Sequence, residues 1–572
     1  MSTRDASVAG YCDGVKGDSV RGWAWRPEFP DEPVEIEMVV DGVVVAKTVA
    51  DLYRPDLRAV GIGHGRYGWR FALELPAGAS GPREVIIRER DGEPLANGVL
   101  QVSVDPPNHD AQNAEFQAFV SSVLNSGPLA LHGVRDAETK LNFLLYCPVP
   151  MTSHALGAPQ YSYAFVMKAF APLLARLGRI HMILDPAAEA DRLYESLAEQ
   201  GEASVLLSFA PPHHTVLGLR CPTIPVIAWE FPTIPSRVWD GDRRHDWRFV
   251  LRQTGRAITL SQFAADAIRA AMGADFPVVA VPAPVWDRTA AALPVEAPPK
   301  AASLSVDGFV FDTRGRSFPP AAATPPLPDP DRRSTEMASE TTLSGVVFTA
   351  VFSPKDGRKN WPDIVTAFVT AHRDHPDATL VLKMVGADAG LWWWELHDVL
   401  GRLPAFECRL VVLNGYLDDD AYRVLIEASH WAVNASRAEG LCLPLVEFMC
   451  AGRPAIAPLH TAMLDYITPF NALIVESDEE YCGWPHDPLN EMTTTRRRVS
   501  WSSLIEAFSK GYQIARDKQE LYASLSKASQ DAMHVFCSDD AVAARLDAFL
   551  GLNLGRGREV ISPSPLLMST AA

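Results

Sequence analysis

Ser436-Arg-Ala-Glu439-Gly-Leu-Cys-Leu-Pro444-Leu-Val-Glu447-Phe-Met-Cys-Ala-Gly452-Arg-Pro-Ala-Ile-Ala457 reads as a strand end, a loop, a short helix and the next strand. The apolar run Trp431–Asn434 ends in a loop that carries Gly440. Pro444 opens the helix, at a position where a missing N–H costs nothing. Gly452 closes it, in the left-handed position just past the last turn. The open N–H groups around Leu441–Leu445 form a helix N-terminus, which attracts anions. Glu439 lies just before those groups and Glu447 about one turn inside. Taken alone, the two carboxylates allow two readings. Either they simply favour the helix N-terminus, at about 0.3–1 kcal/mol each, or they serve a ligand.

Outward from this stretch the chain alternates strands and helices. Upstream lie strand Gly345–Phe352, helix Trp361–His372, strands Ala378–Val385 and Arg409–Leu413, and helix Ala421–Ser429. An earlier unit repeats the pattern. Its strands are Leu141–Cys147, Ile180–Leu184, Ser204–Phe209, Val226–Trp229, Arg256–Leu260 and Val278–Val281, and a helix covers Tyr161–Leu177. Alternation of this kind predicts two doubly wound α/β domains, 141–290 and 343–552, with a ligand crevice at the carboxyl ends of both sheets. Residues 291–342, rich in Pro and Ala, are expected to be a mobile linker. Residues 106–140 are expected to be a linker or helical, and 553–572 a disordered tail.

Residues 1–105 read differently, as a small all-β, sandwich-like module. Short alternating runs (Val34–Val40, Val43–Val49, Trp69–Leu75, Val85–Arg90) are separated by Asp41-Gly42 and Asp91-Gly92. Asp-Gly marks a hairpin because both central residues of a type I′ turn need positive φ. Trp23, Trp25 and Trp69 could stack on sugars, but large aromatics more often fill the core. The module is expected to be a targeting or sugar-binding appendage, dispensable for chemistry.

At 572 residues the chain exceeds a single core, and its net charge of −18 argues against nucleic acid as a partner. The eight cysteines form no Cys-x-x-Cys pair and read as buried hydrophobes in a reducing compartment. The opening Met-Ser-Thr-Arg-Asp lacks the apolar run of a signal peptide, and no apolar stretch reaches bilayer length. A cytoplasmic protein is expected, at most peripheral to the inner face of the membrane. Asp418-Asp419-Asp420 reads as the cap of the following helix in preference to a metal site. His213-His214 lacks a third ligand.

The long pattern Ser-x-x-Glu-Gly-x-x-Leu-Pro-x-x-Glu, with "GYLDDDAYRVLIEASHWAVNAS" before it and "LDYITPFNALIVES" after it, resembles retaining GT-B glycosyltransferases of family 4. "FSPKDGRKNWPDIVTAFVTAHRDHPDATLVLKMVG" is similar to that family's phosphate loop, and the segment from Trp229 to Gly273 to its acceptor-side half. The resemblance implies a GT-B fold, with two Rossmann-like domains facing across a cleft. It also implies transfer of a sugar from a UDP- or GDP-type nucleotide sugar, with retention, to a glycan, glycolipid or glycoprotein. No cofactor and no metal are expected, because cations meet the diphosphate. Glu447 matches the glutamate that holds the ribose hydroxyls, and Glu439 the one that orients the transferred sugar. Gly440, Leu441, Cys442 and Leu443 would offer backbone N–H groups, and Arg358 with Lys359 would neutralise the diphosphate. Many relatives carry a further arginine where this chain has Val351-Phe352. His154, Gly157 and Glu230 are candidate acceptor or donor-sugar contacts at strand ends facing the cleft. The contrasting reading is a non-catalytic sugar-binding scaffold on the same shell.

Overall fold

The computed structural model describes residues 8–16, 19–54, 57–58, 62–72, 82–103, 141–149, 162–292, 298–314, 338–384, 389–485, 487 and 491–551. The expected linker 106–140, the tail 553–572 and the loop with His154 and Gly157 lie outside these residues. The chain divides into two compact units, Met1–Ala114 and Glu115–Ala572.

The first unit is all-β: β1 (Ala9–Lys16), β2 (Ser19–Trp25), β3 (Val34–Val40), β4 (Val43–Ala50), β5 (Leu52–Tyr53), β6 (Arg66–Ala72), β7 (Pro82–Glu89) and β8 (Pro94–Ser103). Two antiparallel ladders, β4-β3-β7-β8 and β1-β2-β6-β5, are joined by a parallel contact between Tyr11 and Ala96. Both contribute to one core that includes Val20, Ile36, Met38, Phe71 and Ile87. The Asp41-Gly42 turn has positive φ at both residues and joins Val40 directly to Val43, as expected. Asp91-Gly92 does not form that turn. Arg88 pairs with Pro94, so the connection is longer and carries a register shift. The three tryptophans do not form one stripe. Trp69 is buried in the core, whereas Trp23 and Trp25 are half-buried. Gly22 makes room for Trp69, because a Cβ there would meet its ring at 2.4 Å.

The second unit opens with a six-stranded sheet of β9 (Leu141–Tyr146), β10 (Arg179–Ile183), β11 (Ala203–Phe209), β12 (Thr223–Ile227), β13 (Ala257–Thr259) and β14 (Val278–Ala280). Its strand order is β10-β9-β11-β12-β13-β14, and every pairing is parallel. A short connector helix, Trp286–Ala292, leads out of it.

The following residues overturn one expectation. Part of the Pro/Ala-rich segment forms β15 (Ala301–Asp312) and β16 (Ala338–Ser344), an antiparallel pair at the edge of the second sheet. The reason lies in Ala301–Asp312 itself, where Leu304, Val306 and Gly308 are buried and the residues between them exposed. That period-2 pattern makes a half-buried strand whatever the composition on either side. Arg409, almost fully buried, ties this edge down with a bidentate contact to Asp312 at 2.6–3.2 Å.

The rest of the second sheet is β17 (Val346–Phe352), β18 (Ala378–Met384), β19 (Arg409–Tyr416), β20 (Trp431–Val433), β21 (Ala455–Pro458) and β22 (Ala472–Val475). Across the sheet the parallel strands run β19-β18-β17-β20-β21-β22, the dinucleotide-fold order in which the winding direction reverses between β17 and β20. Crossovers on either side of that point run in opposite directions and leave a crevice at the strands' carboxyl ends. A hairpin follows, β23 (Ser477–Gly483) and β24 (Thr493–Val499), in which Asp478, Glu479 and Glu480 stand opposite Arg498, Arg497 and Arg496. Three helices, Trp501–Asp517, Gln519–Cys537 and Asp539–Leu550, close the fold. One buried core contains residues of both halves, from Phe143 and Leu207 to Leu445 and Met533. The fold is therefore α/β with two doubly wound sheets, the first parallel and the second parallel apart from its β15–β16 edge, plus the separate all-β module. Among the described residues no helix is long and apolar enough to cross a membrane.

Candidate active site

The signature segment sits at the reversal point of the second sheet. Strand β20 ends at Val433, and Asn434 organises the loop beyond it. The Asn434 side chain donates to Glu439 Oε1 at 3.0 Å and to Cys442 Sγ at 3.1 Å, and accepts from the Ser436 N–H at 2.8 Å. Cys442 takes φ 63° and precedes the Leu443–Cys450 helix, with Pro444 in its first turn. Gly452 follows it at φ 70°, as expected for the residue that stops it. The segment 461–471 buttresses this loop from behind. The Ala462 N–H donates to the Glu439 carbonyl at 3.2 Å, and the Tyr466 hydroxyl donates to the Leu441 carbonyl at 2.7 Å. A small, open indentation lies at the reversal point. Thr349 and Val351 of β17, Asn434, Cys442 and Leu445 line it.

Arg358 and Lys359 reach the same place from the other side. They form a single 3₁₀ turn, Gly357–Lys359, capped by Asp356. Lys359 Nζ donates to Glu439 Oε1 at 2.7 Å, and Arg358 donates to Glu439 Oε2 at 3.2 Å and to the Ala438 carbonyl at 2.8 Å. Arg358 Nε lies 3.2 Å from Glu230 and 2.9 Å from Asp356, with hydrogen-bond alignment to neither. The turn is bonded to the signature loop, where the Arg437 N–H donates to the Arg358 carbonyl at 2.7 Å. The Arg437 carbonyl in turn accepts from the Arg497 N–H of β24 at 2.8 Å.

Electrostatics fix the charge states. Burial alone would raise the Glu439 carboxyl, but Lys359 and Arg358 outweigh it and hold the group far below the usual carboxylate range. Burial and Arg358 push Lys359 down, and its attractive partners together, led by Glu439 and including Asp356, more than offset them. The cluster thus remains fully ionised at neutral pH. Cys442 behaves oppositely: burial pushes its thiol up to about 12, so it stays protonated and inert. Lys383, one strand over and opposite Val351, is buried with carbonyl partners such as Gly415 O at 2.8 Å. Burial lowers its ammonium to about 7.

Glu447 lies one turn into the helix and is paired on both sides. Arg288 of the connector helix donates to Oε1 at 2.9 Å, and the Tyr422 hydroxyl to Oε2 at 3.0 Å. Sequence reasoning placed Glu447 and missed both partners. Arg288 belongs to a plain Trp-Asp-Arg-Thr-Ala run without a motif, and Tyr422 lies within the recognised stretch, where nothing in the sequence points it at Glu447. Glu230, a candidate sugar contact on sequence grounds, faces Arg358 here and brings the first half's β12 end onto the cation turn. Gly440 is a tight point between the halves, since a Cβ on it would lie 3.0 Å from the Trp229 nitrogen. Beside it, Ala438 is fully buried among Trp229, Phe231, Ile234 and Trp247 of the first half.

Two other polar segments have local partners. The Asp418 side chain accepts from the Ala421 N–H at 2.7 Å and caps the Asp419–Ala428 helix. His213 accepts from the Trp247 indole at 3.2 Å, and burial takes it down to about 3. Among the described residues no group of three or more His, Cys, Asp or Glu is placed to hold a metal ion.

The fold and site define an α/β protein with a carboxylate–cation cluster at the reversal point of a dinucleotide-type sheet. No family profile and no curated protein matches the chain. Among solved structures, Anabaena HepE in complex with UDP and glucose overlaps 72% of this chain and 100% of its own. Its identity is 11% and its TM-score 0.42. Sucrose-phosphate synthase from Thermosynechococcus elongatus overlaps 72% and 98%, at 14% identity and a TM-score of 0.41. A point mutant of S. aureus TarM, in complex with Fondaparinux, alpha-GlcNAc-glycerol and UDP, overlaps 61% and 55%, at 9% identity and a TM-score of 0.38.

Proposed function

We propose that this chain is a glycosyltransferase that moves a sugar from a nucleoside-diphosphate sugar to a hydroxyl of a glycan, glycolipid or glycoprotein. The observation that carries the reading is the convergence of Lys359 and Arg358 on Glu439 beneath the Leu443–Cys450 N-terminus, with Glu447 one turn deeper. As the glycosidic bond breaks, negative charge grows on the leaving diphosphate. Fixed cations and helix N–H groups lower the barrier because they need no reorganisation when that charge appears. Lys359 has three N–H donors, and Glu439 takes one. Glu439 therefore orients the ammonium and leaves donors for a phosphate.

In this reading Arg358 and Lys359 meet the diphosphate beside the Leu443–Cys450 N-terminus, Glu439 orients the transferred sugar, and Glu447 holds the ribose. Retention of configuration, action without a metal and a role in surface-polysaccharide synthesis at the cytoplasmic face belong to the same proposal. They follow from the resemblance of the signature segment.

The test incubates purified protein with a panel of UDP- and GDP-sugars and follows nucleotide release, with NMR assignment of the product anomer. One donor is expected to turn over slowly without acceptor, and Glu439→Ala and Lys359→Ala are expected to abolish turnover while remaining folded. If no donor binds or turns over, the non-catalytic scaffold is the correct reading.

A further inference from the structure

Three consecutive residues of the connector helix each hold a different helix of the second half. The Trp286 indole donates to the Gln530 carbonyl at 3.3 Å and meets His534 edge-on at 4.4 Å, both on Gln519–Cys537. Asp287 accepts from the Asp539 N–H at 2.7 Å, at the start of Asp539–Leu550. Arg288 reaches Glu447 on Leu443–Cys450. The connector is thus anchored independently at two points, and Arg288 adds a third contact, made to a carboxylate of the proposed site.

We infer that Arg288 is a positioning residue for Glu447. Together with Tyr422 it sets the carboxylate to accept the two hydroxyls of a ribose, so that ribonucleotide affinity depends on the connector between the halves.

This rests on the transferase reading above. A carboxylate oxygen accepts about two hydrogen bonds. Oε1 receives Arg288 and Oε2 receives Tyr422, which leaves one acceptor on each oxygen. Two free acceptors a carboxylate's width apart match the two hydroxyls of a vicinal cis-diol. With its side chain only 14% exposed, Glu447 gains little from bulk water to stay ionised. The groups acting on it include Arg288, Tyr422 and Asp419, its charge is felt by the Cys450 thiol, and Arg288 is the sole cation among these. Burial raises the Glu447 carboxyl, and Arg288 and Tyr422 work against that rise. Without Arg288 the carboxyl would protonate at a higher pH and rotate about its last bond. A protonated or rotated carboxyl would offer the diol one acceptor fewer.

The experiment is calorimetric binding of UDP, GDP and their 2′-deoxy counterparts to the full chain, wild type and Arg288→Gln, from pH 6 to 8. The wild type is expected to prefer the ribonucleotide. Arg288→Gln should weaken ribonucleotide binding about tenfold or more, increasingly toward pH 6, with little change for the 2′-deoxynucleotide. Arg288→Lys should restore most of the preference. A variant that keeps the wild-type ribose preference overturns the inference. So does one that weakens both nucleotides alike, which is the signature of a merely structural loss. A wild type that binds none of the four overturns the transferase reading and this inference with it.

Discussion

Gly440→Ala adds one methyl group at a point where the halves meet, and the structure fixes where that methyl would go. Its carbon would lie 3.0 Å from the Trp229 nitrogen and 3.4 Å from the carbonyl carbons of Ala228 and Trp229. All three are backbone atoms, so no side chain can swing aside. The wall is also braced: the Tyr163 hydroxyl donates to the Ala228 carbonyl and accepts from its N–H, both at 3.0 Å. On the opposite side Glu439 is held by Lys359, Arg358 and Asn434. Ordinary contact begins near about 3.5 Å, so the halves must part by about half an ångström or the signature loop must shift by as much. Overpacking of this kind costs about 1–3 kcal/mol. A displacement of about 1 Å at a reacting centre costs about 100-fold in rate, so about tenfold is expected here. Urea denaturation measures the first effect and donor hydrolysis at saturating nucleotide sugar the second. Releasing the brace with Tyr163→Phe in the same chain should recover part of the rate, as coupled neighbours do. A Gly440→Ala protein with an unchanged midpoint and turnover would refute the packing of the signature loop on Trp229.

Two further outcomes follow from the buried charges. Glu439 titrates far lower folded than its ordinary 4.5, so its stabilisation is complete above that pH and is lost as pH falls below it. Glu439→Gln should therefore destabilise by about 3–5 kcal/mol at pH 7, with the difference from wild type shrinking in acid, measured by denaturation from pH 7 to pH 3. Lys383→Met should stabilise the protein at pH 6 and much less at pH 9.5, because the penalty on the buried ammonium is full below about 7 and fades toward the ordinary 10.5. At about 1.4 kcal/mol per pH unit the gain has a ceiling of roughly 5 kcal/mol. A pH-independent gain in thermal denaturation would place the benefit in packing and remove the charge argument.

The α/β part of the fold was legible because its strands are continuous apolar runs and its helices are punctuated. Trp361–His372 and Leu141–Tyr146 lie where the pattern placed them. The β15–β16 pair was hidden by composition, since prolines nearby outweighed the alternation in Ala301–Asp312. Strands β1 and β2 were hidden because Gly10, Gly14 and Gly22 break their pattern, and Gly22 is explained by the Tyr11 carbonyl and the ring of Trp69 on the neighbouring strands. In the site, Glu439, Glu447, Arg358 and Lys359 were readable because they fall in two long local patterns. The contacts of Arg288, Tyr422 and Glu230 were not. Each acts on a residue 25 to 159 positions away or across the halves, and single-sequence patterning carries no information on such pairs. Asn434 and Tyr466 were within the recognised stretches, but their role in tying the loop's backbone depends on coordinates alone.

The β15–β16 ladder has a consequence for how this protein can vary. Asp307 pairs with Ala338, and the second half of β15, Asp307–Asp312, pairs with β19 in the interior of the sheet. The chain therefore departs from and returns to one braced hydrogen-bonded ribbon on the edge away from β20. For a flexible connection between ends fixed in this way, the closure cost grows only as the logarithm of its length. Strands β19, β18 and β17 stand between that ribbon and Asn434, so added length on this edge is expected to disturb the site least. It is the natural place for lineages, or protein engineers, to add new parts.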